Sequence, residues 1–176
     1  NENTILITRW YKFYPNIHLK EFDYSIYIDA NLELKKETLK LINDLRNKDF
    51  SLVIFRHPER KNIRKEICHA YWNKKINYSE FRKLKRFYFN QIKGNNYKDE
   101  NLFENNIRIT NNKSKEAQTI LDKTYRLFEK YPYRDQVILP LIINKYKDLN
   151  SKIIILGNSK KYIRVKPHKV KSFKNI

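Results

Sequence analysis

Methionine is absent from this chain, cysteine occurs once and glycine twice in 176 residues, and the 19 acids are outnumbered by 38 Lys and Arg. The single Cys68 excludes an internal disulfide framework, and with only four histidines it leaves no credible Cys/His zinc cluster. No uninterrupted apolar stretch approaches the roughly 20 residues needed to span a bilayer, and no secretory signal pattern is visible. There is no internal repeat and no low-complexity linker. The chain as given is therefore expected to be soluble. It begins at Asn1 without methionine, which fits processing or a piece of something longer, an upstream anchor included. A complete chain would be cytoplasmic, and a fragment could be Golgi-like or virion-associated.

What remains is basic and aromatic. A content of 40% hydrophobic and 14% aromatic residues is that of a folded chain, long enough for one domain over 1–176 with a real core. The net charge of +19 would ordinarily point to a polyanion. Two facts weaken that inference. An excess of Lys, Asn and Ile with scarce Gly and Met is the mark of an AT-rich genome, and the basic residues are spread over most of the chain. One local concentration stands out, with eight Lys or Arg and no acid from Ser151 to Ile176, within which 158–176 reads as a basic C-terminal segment. It is the best candidate for phosphate binding.

Alternation of apolar patterns predicts an α/β layer fold. Short strands are expected at Thr4–Thr8, Ser25–Leu32, Ser51–Phe55, Asn105–Thr110 and Lys152–Leu156. Helices are expected over Glu37–Arg46, Arg60–Asn73, Ser79–Ile92, Ser114–Lys130 with Ser114 as cap, and Asp135–Lys147 with a kink at Pro140.

Several constellations fall at element ends, where α/β sites assemble. The strand over residues 25–32 ends in Asp29-Ala30-Asn31. Alternation along a strand would point Asp29 and Asn31 the same way, so that two oxygen ligands meet one hard cation or sugar hydroxyl. Both residues are also ordinary turn formers. Phe55-Arg56-His57-Pro58-Glu59-Arg60 follows the next strand and should emerge at the same sheet edge. Tyr133-Arg134-Asp135-Gln136 opens a helix after Pro132 and places a carboxylate in its first turn, where the helix dipole stabilises it. Asp135 could equally be a plain N-terminal acid. Arg9 and Lys12, among Trp10, Tyr11 and Phe13, could clamp a phosphate or snorkel from an aromatic patch. His168 sits in the basic segment.

Taken in order, Arg9 and Lys12, Asp29 and Asn31, His57 and Arg60 with Glu66, Arg134-Asp135-Gln136 with Pro140, and His168 resemble the pattern of a family of hexosyltransferase-like proteins, long described as a domain of unknown function. That family includes bacterial and viral proteins and plant Golgi proteins linked to cell-wall mucilage and pollen turgor. The resemblance covers most of the chain. The family has His two residues after the position of Tyr14, where this chain has Asn16.

The resemblance implies a GT-A-like, Rossmann-like mixed sheet flanked by helices, lacking the part of the nucleotide-binding half that would precede Arg9. It implies a metal-dependent glycosyltransferase that moves a hexose from a nucleotide-diphosphate sugar, such as a UDP-sugar, to a glycan, protein or lipid acceptor. Asp29 would hold Mn2+ or Mg2+, Asn31 would hold it directly or through water, and His168 would be a late ligand. Arg9, Lys12 and the tail lysines would neutralise the diphosphate, while His57, Arg60, Arg134 and Gln136 would orient donor or acceptor. Asp135 would be the catalytic group, as base or as stabiliser of an oxocarbenium-like carbon. Two other classes stay open: an inactive relative acting as a binding module, and a basic nucleic-acid-binding domain using the tail and exposed aromatics.

Overall fold

The computed structural model describes residues 2–93, 101–131 and 134–166. Its centre is a four-stranded mixed sheet of β1 (Tyr24–Ile28), β3 (Leu52–Arg56), β4 (Phe103–Asn111) and β5 (Ile153–Leu156), in the order β1-β4-β3-β5. β4 runs antiparallel to both β1 and β3, and β5 lies parallel to β3. β1, β3 and β5 therefore all end at one edge, where β4 begins. A second, two-stranded sheet joins β2 (Leu32–Leu34) to β6 (Ile163–Val165).

Both faces of the main sheet are covered. β3 is buried from Leu52 to Phe55, with Leu52 and Ile54 entering one core and Val53 and Phe55 the other. This double burial explains why its sequence is a continuous apolar run. The larger core takes α1 (Glu2–Phe13), α4 (Ile63–Trp72), α5 (Tyr78–Ile92), α6 (Lys115–Lys130) and α7 (Asp135–Lys145), while α3 (Lys36–Leu45) packs with the small sheet on the opposite face. The expected fold class, a mixed sheet flanked by helices, is the one observed. α7 is buried along nearly its whole length, which its uniformly apolar sequence requires. Among the described residues no helix is long and apolar enough to cross a membrane.

Local expectations held where the pattern was strong. Ser114 caps α6 through the Ala117 amide as expected; the reciprocal capping box of Asn77 and Glu80 at the start of α5 was not among the expectations. Two expectations fail. The β-branched run Thr4–Thr8 is helical, because Leu6, Trp10 and Phe13 at helical spacing pack into the larger core and Tyr14 Oη donates to Asp122 Oδ1 on α6 at 2.9 Å. The next helix, α2 (Pro15–His18), is a single turn that starts on Pro15. The strand expected over 25–32 is broken by a turn in which the Leu32 amide donates to the Asp29 carbonyl at 2.9 Å, so Asp29 and Asn31 do not share one strand face. Within the basic segment 158–176, Ile163–Val165 pairs with β2, and the residues beyond Lys166 lie outside the described ones.

Candidate functional site

The carboxyl edge of the sheet opens into a polar cavity of about 310 Å3. Four chain segments far apart in sequence meet there. Arg9 and Lys12 come from the last turns of α1, Asp29 from the end of β1, His57 and Arg60 from the loop after β3, and Arg134, Asp135 and Gln136 from the start of α7. Eight residues singled out in the sequence thus share one wall system. Asn31 does not line the cavity, and His168 lies outside the described residues.

Asp135 is the hub. The residue is 7% exposed, and its Oδ2 accepts from Lys12 Nζ at 2.7 Å. Arg9 Nε stands 3.2 Å from the same oxygen, close enough for an ion pair but without an aligned hydrogen bond. Burial alone would push the Asp135 carboxyl up. The combined charges of Lys12 and Arg9, with the Lys12 hydrogen bond and Arg134 beyond, outweigh it and hold the carboxyl below the usual range. Lys12, 3% exposed, is itself lowered by burial against the pull of Asp135, and its Nζ lies 4.6 Å from the centre of the Tyr27 ring. Lys12 is therefore a buried cation and does not snorkel.

Beneath Lys12 lies Arg108 on β4. Its guanidinium is fully buried beside the Phe13 and Tyr27 rings and donates through Nη2 to the Lys12 carbonyl and through Nε to Thr110 Oγ1 at 3.3 Å. Burial brings its pKa down to about 10. The alternation Ile107, Arg108, Ile109 reads as a strand with a solvated face, but here α1 covers that face. Sequence reasoning missed Arg108 for that reason.

A second ionic bridge shapes the opposite wall. Glu66, on the apolar stripe of α4 with Ile63, Ile67 and Ala70, is 0% exposed. It accepts from Arg60 Nε at Oε2 and from Arg134 Nη2 at Oε1, each at 2.7 Å. One buried carboxylate thus aligns two guanidinium groups from separate segments. The acid on an otherwise buried stripe was the sequence signal for this role. His57 Nδ1 accepts the Glu59 and Arg60 amides at 3.1 and 3.0 Å, which fixes the turn that delivers Arg60. Burial, and then the Arg60 charge, lower the His57 pKa, so the ring is a neutral scaffold of the loop.

The remaining wall comes from the start of β4, where the ladder is irregular. Leu52 pairs with Thr110 and Val53 with Ile109, so a regular register would set Phe55 against Ile107; it meets Glu104 instead. The surplus residues bulge, and Glu104, Asn105 and Asn106 reach the cavity rim. Lys75 adds a fifth cationic side chain to the lining.

The fit to a divalent cation can be tested on these groups. Among the described residues no group of three or more His, Cys, Asp or Glu side chains could hold a metal ion. The Asp29 carboxylate accepts from Tyr27 Oη at 2.6 Å, Asp135 is taken by Lys12 and Arg9, and Asn31 faces elsewhere than the cavity lining. The described donor set does not fit Mn2+ or Mg2+. It fits an anion with polar substituents.

No protein-family model and no curated protein matches the chain. Among solved structures, the apo form of mouse xyloside xylosyltransferase 1 is similar at 17% identity and a TM-score of 0.44, over 82% of this chain. The chain spans half the length of that structure, 50% of its residues.

Proposed function

We propose that this chain is a GT-A-like glycosyltransferase whose cavity binds the phosphate-bearing part of a nucleotide-sugar donor and transfers its hexose to a glycan, protein or lipid acceptor. The observation that carries the reading is convergence. Motifs spread from Arg9 to Gln136 line one cavity at the sheet edge where α/β proteins bind ligands. Cleavage of the bond from sugar to diphosphate leaves new negative charge on the leaving group, and fixed cations stabilise that charge as it develops. Arg9, Lys12, Arg60, Lys75 and Arg134 supply them from the chain itself.

Asp135 takes a different role in this reading from that of a base. A carboxylate held below its ordinary pKa by two cations has little affinity for a proton. It positions Lys12 and Arg9 toward the diphosphate, much as Glu66 positions Arg60 and Arg134.

The test is a nucleotide-sugar hydrolysis and transfer assay over a panel of donors, with UDP binding measured by calorimetry. Positioning predicts that Asp135→Asn weakens UDP binding and raises KM while lowering kcat. Direct action on the sugar would lower kcat alone and leave UDP affinity intact. A wild-type chain that neither transfers from nor hydrolyses any common donor refutes the enzyme reading.

A further inference from the structure

The bulged start of β4 carries a set of polar atoms that the protein leaves without partners. Asn105 is 6% exposed, yet neither its Oδ1 nor its Nδ2 has a hydrogen-bond partner among the described residues. Glu104 Oε2 and Asn106 Oδ1 are buried and unpartnered in the same way, and all three side chains line the cavity. Buried polar groups in folded proteins are overwhelmingly paired, so three adjacent exceptions at one cavity point to a ligand.

Their chemistry says which kind. The ledge offers three acceptors, Glu104 Oε2, Asn105 Oδ1 and Asn106 Oδ1, and one donor, Asn105 Nδ2. Exchanging the two amide atoms of Asn105 leaves the count unchanged, because both are unpartnered. A phosphate group offers almost only acceptor oxygens and cannot satisfy such a set. A metal cation could use the oxygens but would meet the amide donor and the five cationic side chains of the other walls. Hydroxyl groups both donate and accept, and a carboxylate beside a carboxamide can engage neighbouring hydroxyls on a ring. Burial raises the Glu104 carboxyl, while the nearby Ser159 hydroxyl and amide, and then the Lys160 charge, oppose the rise. The cavity thus carries cationic donors from Arg9, Lys12, Arg60 and Arg134 on two of its walls and a cluster of unpartnered acceptors at the start of β4. Its volume of about 310 Å3 lies at the lower end of small-molecule pockets.

We propose that Glu104, Asn105 and Asn106 form a hydroxyl-reading ledge that holds the sugar ring of a sugar phosphate while the cationic walls hold its phosphate. This rests on the glycosyltransferase reading for its place in a reaction, and it assigns the sugar specificity of the site to residues outside the recognised motifs. Asn105 is the centre of the ledge. Its burial without partners costs the folded protein stability, which a ring hydroxyl on each side of the amide offsets.

The experiment compares inorganic phosphate with a panel of hexose 1-phosphates by calorimetry, on wild type, Asn105→Leu and Glu104→Gln, with a melting curve for each. Wild type should bind at least one hexose 1-phosphate about tenfold or more tighter than phosphate, the margin that about one net hydrogen bond supplies. Asn105→Leu, close in shape but apolar, should lose that margin, keep its affinity for phosphate and melt higher than wild type. Glu104→Gln, at a half-buried position, should reduce the margin severalfold without unfolding the chain, and it decides the question if the leucine variant does not fold. A margin that survives in the variants overturns the ledge, and so does a wild type that binds every hexose 1-phosphate no better than phosphate. Failure of the transfer assay with the margin present and Asn105-dependent would remove the enzyme and leave the ledge. Active transfer with a margin untouched by Asn105→Leu would do the reverse.

Discussion

Replacing Asp135 by Asn removes one negative charge from a place where three cations depend on it. Lys12 is 3% exposed and bonded to Asp135 at 2.7 Å, Arg9 stands at 3.2 Å, and the fully buried Arg108 lies close enough to feel the same charge. Breaking a buried ion pair by deleting one partner costs about 3–5 kcal/mol, because the surviving charge is left in a medium that solvates it poorly. For a chain of this size each kcal/mol shifts the melting temperature by roughly 2–4 °C, so Asp135→Asn should melt about 10 °C lower. Asn is a good residue near a helix start, and an acid that merely began α7 would cost less than about 1 kcal/mol on the same substitution.

A double-mutant cycle with Lys12→Met, followed by urea denaturation, separates the two cases. The coupling energy should be about 2 kcal/mol or more, since the apolar side chain no longer needs the carboxylate. The pH dependence gives a second check. Lys12 has a folded-state pKa below its unfolded value, so the cost of its charge is full below the folded pKa and disappears as pH rises through it. The deficit of Asp135→Asn should therefore shrink as pH is raised from about 7 towards 10, the ordinary lysine range. A single variant that melts within a degree or two of wild type, or a coupling near zero, would refute the hub assignment.

Two further outcomes test the other wall. Glu66→Gln should cost about 2–3 kcal/mol, below the full value for a sealed pair because the Arg60 and Arg134 side chains are 15% and 24% exposed and can turn toward the cavity. It should also weaken inorganic phosphate binding, as calorimetry would show, and unchanged values on both counts would break the link from Glu66 to the site. His57, whose folded pKa lies below its ordinary value through burial and Arg60, contributes stability that is present above about pH 6.5 and lost as pH falls through the folded pKa. Urea midpoints followed from neutral pH down to about 5 should fall less steeply in His57→Asn than in wild type, and parallel slopes would show that the ring does not need to be neutral.

The sequence by itself determined the alternating elements of the sheet and the placing of motifs at their ends. Runs such as Ser51–Phe55 and the cap Ser114 are local signals, and local pattern suffices where burial follows directly from the run. The shared edge of Asp29 and His57 was expected from their places at strand ends, and it holds because β1 and β3 both run antiparallel to β4. Only the tertiary structure decided the rest. Thr4–Thr8 became helix because packing of Leu6, Trp10 and Phe13 outweighs β propensity. Asn31 left the site because the chain turns at Asp29 toward a second sheet whose other strand is 131 residues away at Arg164, opposite Glu33. Arg108 was buried by a helix from the far end of the chain, and the role of Asp135 was set by which cations reach it across a separation of 123 residues. The bulge that presents Asn105 is a register shift within the β3–β4 ladder, between Val53 and Phe55, while β1 keeps a regular register with β4 from Ile107 to Asn111. Register, charge balance and desolvation are sums over distant segments, and a single stretch of sequence carries only one of their terms.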